Sequence, residues 1–135
     1  MIVVDTSAMV TALRFFGSSG DKIREILSQL KDLAAPSHQA VEIIQAFRSL
    51  DRGGTLAADT AHQAIEDYIR LGVRLVDPDI KLVSRVWELR HNLTAYDALF
   101  VALAERLDCE FLTGDAKIAR SGVARCPVIT VETDF

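Results

Sequence analysis

Short apolar or β-branched runs alternate along this chain with longer stretches whose apolar residues recur every three to four positions. The runs read as strands at Ile2-Val3-Val4, Leu33-Ala34-Ala35-Pro36, Val73 to Val76, Glu110-Phe111-Leu112-Thr113 and Val128 to Val131. Helical spacing is found from Ser7 to about Arg14, and again from Asp21 to Leu33, where Ile23, Ile26, Leu27 and Leu30 share a face. Gly17-Ser18-Ser19-Gly20 separates these two helices. Ser37 is placed to cap a helix running to about Arg52, with Ile43, Phe47 and Leu50 inward, and Gly53-Gly54 ends it. A further helix opens at Thr55 or Ala58 and lasts to Leu71. Pro78 starts one that reaches His91, since proline is tolerated in a first turn. Thr94 caps a very apolar helix from Ala95 to Leu107, and Asp115 to Ser121 forms a short one. Strands alternating with helices predict an α/β fold: a mainly parallel sheet of four to five strands flanked by helices. No repeat, linker or low-complexity segment interrupts it, so residues 1–135 read as one domain.

Half the residues are apolar and 25% are charged, which suits a chain that buries a core and argues against disorder. No apolar run approaches the ~20 residues of a membrane-spanning helix. The start, Met1-Ile2-Val3-Val4-Asp5, lacks the basic region and apolar stretch of a secretory signal. The expectation is a cytoplasmic protein with no membrane partner. Cys109 and Cys126 adjoin strand candidates and read as small hydrophobes. His38, His62 and His91 show no metal-ligand spacing and read as ordinary surface or helix-flank residues.

Fifteen Lys and Arg against nineteen Asp and Glu give a net charge of −4, which weighs mildly against a nucleic-acid partner. Four acids change that reading. If Asp5, Glu42, Asp97 and Asp115 form one metal site, they account for the deficit, and the cations are free to line a groove. In open α/β sheets, functional groups gather beyond the carboxyl ends of the strands. Asp5 directly follows the first strand, and Asp115 follows the fourth after Thr113-Gly114. Right-handed crossovers put parallel strand ends on one edge, so these two acids are expected to face one crevice. Asp97 lies in the first turn of the apolar helix. Each acid also has a plain structural reading. Asp5 and Asp115 suit turns or caps, Asp97 suits a helix dipole, and Glu42 suits a solvated flank beside His38, Gln39, Gln45 and Ser49.

Ile2-Val3-Val4-Asp5-Thr6-Ser7-Ala8 resembles the opening of PIN domains, and Tyr96-Asp97-Ala98-Leu99 with Ala102-Leu103-Ala104 resembles their central motif. Leu112-Thr113-Gly114-Asp115 followed by Lys117 is similar to their last acidic motif, and Pro36 to Phe47 to the segment that supplies a helical glutamate. Gln45 departs from the asparagine often found three residues after that glutamate. Order, spacing and length over essentially the whole chain resemble the VapC-type toxins of toxin–antitoxin systems.

The resemblance implies a Mg²⁺- or Mn²⁺-dependent endoribonuclease that cuts a structured RNA, such as tRNA or rRNA, to leave a 5′-phosphate and a 3′-hydroxyl. Asp5 and Asp97 are then the metal ligands, Asp115 a ligand directly or through water, and Glu42 the residue that orients or deprotonates the attacking water. Thr6, Ser7, Thr94 and Thr113 would support the acids or a metal water, or simply act as caps; Lys117 would touch phosphate, while Arg120 reads first as a solvated charge. A homodimer is implied, with a VapB-type antitoxin that covers the site and inserts a basic side chain among the acids. Ile23 to Leu33 and the first helix with Phe15-Phe16 are candidate faces for those contacts, and core packing explains them equally.

Two other classes compete. A receiver-like or phosphoryl-transfer domain also sets acids at strand ends, and Asp77 follows the third strand. It wants paired acids after the first strand, however, and Asp5-Thr6-Ser7 supplies only one. A catalytically inactive PIN-fold binding module is the other, and the presence of all four acids weighs against it.

Overall fold

The computed structural model describes residues 1–29 and 32–133. Strand β1 (Ile2–Val4) leads into α1 (Thr6–Arg14) and α2 (Ser18–Ser28), then β2 (Leu33–Pro36), α3 (Gln39–Arg52) and α4 (Ala58–Arg70). The chain continues through β3 (Arg74–Val76), α5 (Ile80–Glu88), α6 (Ala95–Arg106), β4 (Glu110–Thr113), α7 (Ala116–Ser121) and β5 (Val128–Thr130). The five strands form one wholly parallel sheet in the order β3-β2-β1-β4-β5. This is the α/β architecture the alternating pattern predicts.

The two-residue period of β1 divides the core. Ile2 and Val4 face a cluster built with Met9, Ile23, Ile43, Phe47 and Tyr68 of the helices α1 to α4. Val3 faces the other side, where Phe111, Leu89 and the α6 residues Phe100, Val101 and Leu103 pack. Helix α6 is buried nearly all round, as its composition predicts. A Cβ on Gly20 would lie 2.1 Å from the Phe15 carbonyl oxygen, so α1 and α2 meet through that glycine.

Several boundaries differ from the sequence expectation, each for a local reason. Ser37 does not cap α3. Its N–H is taken by the Val76 carbonyl at 2.9 Å, which holds residue 37 in line with the strand, and the helix begins after His38. Pro78 does not open α5. Asp79 does, because its carboxylate accepts the Leu82 N–H at 3.0 Å, and the helix stops at Glu88. Of the two starts considered for α4, Ala58 is the observed one, since the N–H groups of Thr55 and Leu56 both close back on the Leu50 carbonyl. Helix α2 begins at Ser18 rather than Asp21 and ends at Ser28; the inward position expected for Leu30 lies outside the described residues.

Cys109 and Cys126 are partly buried free thiols, and burial raises both, Cys126 to about 11, which disfavours the thiolate. Of the candidate contact faces, Ile23 is fully buried in the core whereas Phe16 is 87% exposed. Among the described residues no helix is long and apolar enough to cross a membrane.

Candidate active site

The site is assembled at the carboxyl edge of the central strands. β1 ends in Asp5, which caps α1: its Oδ1 accepts the Ala8 N–H and the Ser7 hydroxyl, each at 2.9 Å. Its Oδ2 accepts the buried Thr113 hydroxyl from the end of β4. The same Thr113 oxygen accepts the Asp115 N–H at 2.9 Å, tying the two strand ends together. Asp115 caps α7 by accepting the Lys117 N–H at 2.9 Å. Thr94 caps α6 by accepting the Asp97 N–H at 3.2 Å, which fixes the first turn that carries Asp97. Glu42, in the first turn of α3, accepts the Thr6 hydroxyl on Oε1 at 2.7 Å.

Asp5, Glu42, Asp97 and Asp115 thus line one open cleft of about 440 Å³, together with Thr6, Ser7, Phe100, Gly114, Lys117 and Thr133. Thr94 and Thr113 act behind this wall, through the acids they hold. A Cβ on Gly114 would lie 2.6 Å from the Ser7 hydroxyl, so only glycine lets the β4 end pack this closely on α1.

The cleft is strongly one-signed. Burial raises the Asp5 carboxyl above its ordinary value, against the lowering effect of hydrogen bonds from Thr113, Ala8, Ser7 and Gly114. Asp97 is also raised, first by burial and then by the negative charges of Asp115 and Glu42. Among the described residues, no Lys or Arg forms an ion pair with any of the four, and Lys117 is the only such cation lining the cleft. Six of the fifteen cations expected to stand free are paired with acids. Arg14, Arg24, Arg70, Arg85, Arg106 and Arg125 are engaged with acids elsewhere. Nor, among the described residues, do three Asp, Glu, His or Cys side chains come together as a ready-made metal cage.

His38 flanks α3, as one of the two expected readings has it, and is more enclosed than a surface residue: its ring packs edge-on against Tyr96 and Phe100, with Nε2 buried 3.5 Å from Glu42 Oε1. Gln39, grouped in the sequence with a solvated flank beside Glu42, is instead fully buried, and Tyr68, unremarked there, is buried with it. The available signal for His38 and Gln39 was their helical spacing from Glu42, four and three residues back; Tyr68 arrives from α4 with no local signal.

The PIN domain profile matches residues 2–123. The chain belongs to the PIN-domain family. Within that family it is 37% identical over 131 residues to a VapC ribonuclease of Mycobacterium bovis, covering 97% of this chain and 98% of the relative. Its fold superposes on FitAcB of Neisseria gonorrhoeae with a TM-score of 0.73 at 18% identity, covering 96% and 97% of the two chains. It also superposes on VapBC2 of Rickettsia felis, solved bound to a promoter DNA fragment, with a TM-score of 0.67 at 17% identity over 96% and 98%. The receiver-like alternative falls with this assignment, and Asp77 lies past edge strand β3, outside the cleft.

Proposed function

We propose that this PIN-domain protein is a divalent-metal-dependent endoribonuclease toxin held in check by a VapB-type antitoxin. The observation that carries the reading is one cleft lined by four carboxylates from four separate helix starts, with no Lys or Arg among the described residues paired to them. Like charges gathered in a half-buried site are unfavourable unless a cation joins them. The donors are hard oxygens, and Mg²⁺ takes one or two carboxylates while keeping several waters, so it needs no preformed three-residue cage. The site fits such an ion.

Asp5 and Asp97 would hold the metal, with Asp115 reaching it directly or through a bound water. When present, the ion polarises the phosphodiester and offsets charge on the leaving oxygen. Thr6 occupies Glu42 Oε1, which leaves Oε2 to orient an attacking water and take its proton. Ser7 and Thr113 hold the Asp5 carboxylate, Thr94 fixes the turn bearing Asp97, and Lys117, which lines the cleft, would meet a substrate phosphate. In-line attack would leave a 5′-phosphate and a 3′-hydroxyl. The M. bovis relative is named a ribonuclease, and the R. felis neighbour is a VapBC assembly, which supports the substrate class and the antitoxin. The working unit is proposed to be a cytoplasmic homodimer.

The test is incubation with structured RNA and Mn²⁺, with and without EDTA. Cleavage that requires metal and is lost in Asp5→Ala and Asp97→Ala is expected. Cleavage that survives both substitutions defeats the reading. An inactive PIN-fold binding module would bind RNA under all of these conditions and cut under none.

A further inference from the structure

The register of β1 on β2 leaves a gap directly behind the site. Ile2 pairs with Leu33 and Val3 with Ala34, and the Ile2 N–H donates to the Asp32 carbonyl at 3.1 Å. In a parallel ladder the even residues of β1 therefore bond to β2, and the next link requires an N–H at residue 36 to reach the Val4 carbonyl. Residue 36 is Pro36, which has no N–H. Val4 immediately precedes Asp5, so the missing bond falls where the strand aims its carboxylate.

The gap is filled from α3. Gln39, with none of its surface exposed, donates Nε2 to the Val4 carbonyl at 2.7 Å. Its Oε1 accepts the Tyr68 hydroxyl at 2.8 Å. Val4 O can only accept and the Tyr68 hydroxyl donates, so the amide is locked in one orientation. Burial, followed by the charge on Glu42, pushes the Tyr68 phenol up to about 12, which keeps that donor protonated at any working pH. Gln39 lies three residues before Glu42 on the same helix turn.

We infer that Gln39 and Tyr68 are positioning residues: a buried strut that replaces the ladder bond denied by Pro36 and fixes β1, bearing Asp5, against α3, bearing Glu42. A regular ladder bond would join β1 only to β2. The glutamine joins it to the helix that holds the proton acceptor. Two carboxylates 37 positions apart in sequence are thereby held as one unit, while α4 supplies the lock. This inference rests on the ribonuclease reading for its catalytic consequence and on hydrogen-bond geometry alone for its structural one.

The experiment compares wild type with Gln39→Leu, Tyr68→Phe and the double variant Pro36→Ala/Gln39→Leu, which restores a backbone donor at residue 36. Three readouts are taken on the whole chain: kcat and KM for RNA cleavage with Mn²⁺, the Mn²⁺ concentration giving half the thermal shift, and the ¹³C resonance of the Val4 carbonyl. Gln39→Leu is expected to lower kcat by about 10- to 100-fold with KM little changed, since a displacement near 1 Å in a site costs that much. It should also shift the Val4 carbonyl resonance and raise the Mn²⁺ requirement. Pro36→Ala in that background should return the resonance but leave kcat lowered, because a ladder bond rejoins β1 to β2 and not to α3. A folded Gln39→Leu with wild-type kcat and Mn²⁺ requirement overturns the inference, as does a full recovery of kcat by Pro36→Ala, which would show that any bond to Val4 serves and that the tie to α3 is idle. If Gln39→Leu does not fold, Tyr68→Phe carries the test: a lower kcat at constant KM supports the strut, and an unchanged kcat refutes it. Absence of RNA cleavage by wild type defeats the ribonuclease reading instead, and the carbonyl resonance and Mn²⁺ requirement then decide the strut separately.

Discussion

Asp97→Asn should make this protein more stable without metal and less stable with it. Burial and then the negative charges of Asp115 and Glu42 weigh on the Asp97 carboxylate. As a scale, two like charges one Debye length (about 8 Å) apart at an effective dielectric near 20 repel by roughly 2 kcal/mol, and screening removes more than half of that. The opposing effect is the dipole of α6, which favours a first-turn carboxylate by ~0.3–1 kcal/mol. Asparagine leaves the backbone bond from residue 97 to Thr94 intact, so the cap survives. Repulsion wins, and the expected gain in EDTA is about 1 kcal/mol, read as a Tm higher by roughly 3–5 °C for a chain this size. Mn²⁺ at about 100 times its Kd should then stabilise wild type by roughly 2.7 kcal/mol and the variant far less. Scanning fluorimetry across a Mn²⁺ titration should give melting curves that cross. If Asp97→Asn melts lower in EDTA, the carboxylate is a structural cap; if Mn²⁺ raises both proteins equally, Asp97 is no ligand.

The raised carboxyls of Asp5 and Asp97 also set a pH dependence. Their protonated forms are favoured in the native state, so that contribution is full below the ordinary value of 3.8 and is lost as pH rises through the raised native values. Asp79, held near about 2 by Arg106, titrates outside this window. Urea midpoints in EDTA should therefore fall behind those in Mn²⁺ increasingly as pH rises above the ordinary carboxyl value toward neutrality, and a gap that stays constant with pH would contradict the assignment. Gly114→Ala puts a Cβ 2.6 Å from the Ser7 hydroxyl that holds Asp5. Single-turnover cleavage should drop by about 10-fold or more while thermal melting shows an overpacking cost of only ~1–3 kcal/mol; full activity would mean Ser7 does not hold Asp5 in place. Phe47→Ala empties a fully buried site in the α1–α4 cluster and should cost about 3–5 kcal/mol in urea unfolding, and a loss under ~1 kcal/mol would show that packing there is loose.

What was legible in the sequence was what is decided locally. Ile2–Val4 and Glu110–Thr113 form strands at the positions their β-branched and aromatic runs mark, and Thr94 caps α6 because the residues it needs lie within one turn. The misplaced boundaries came from partners distant in sequence. Ser37 is a good cap by composition, but β3 claims its N–H. His38 is more enclosed than its flank position suggests because the two rings around it come from α6. The gap at Pro36 becomes visible only once β1 and β2 are in register, so Gln39 carried no sequence signal of its own. The four acids were readable because family motifs fix their order, not because any one of them is unusual.

The structural reading of those acids is compatible with the function proposed for them. Asp5 and Asp115 are helix caps, and capping spends Oδ1 of each on a backbone N–H, which orients the rest of the carboxylate beside the cleft. Asp97 sits in the first turn of α6 and Glu42 in the first turn of α3. Four helix starts therefore point their partly positive ends at one place, each end equivalent to roughly half an elementary charge where the helix is long enough to sum its dipoles. Together they offset the crowded carboxylates without a neutralising arginine. A paired arginine would have quenched the site; helix ends temper the repulsion yet leave carboxylate oxygens free. The partial compensation also explains why Asp97 remains perturbed by its neighbours, since fixed dipoles lower the cost of four negative charges but do not remove it. The residual repulsion is what a divalent ion would relieve, so metal affinity and metal-free instability at this edge of the sheet have one electrostatic origin.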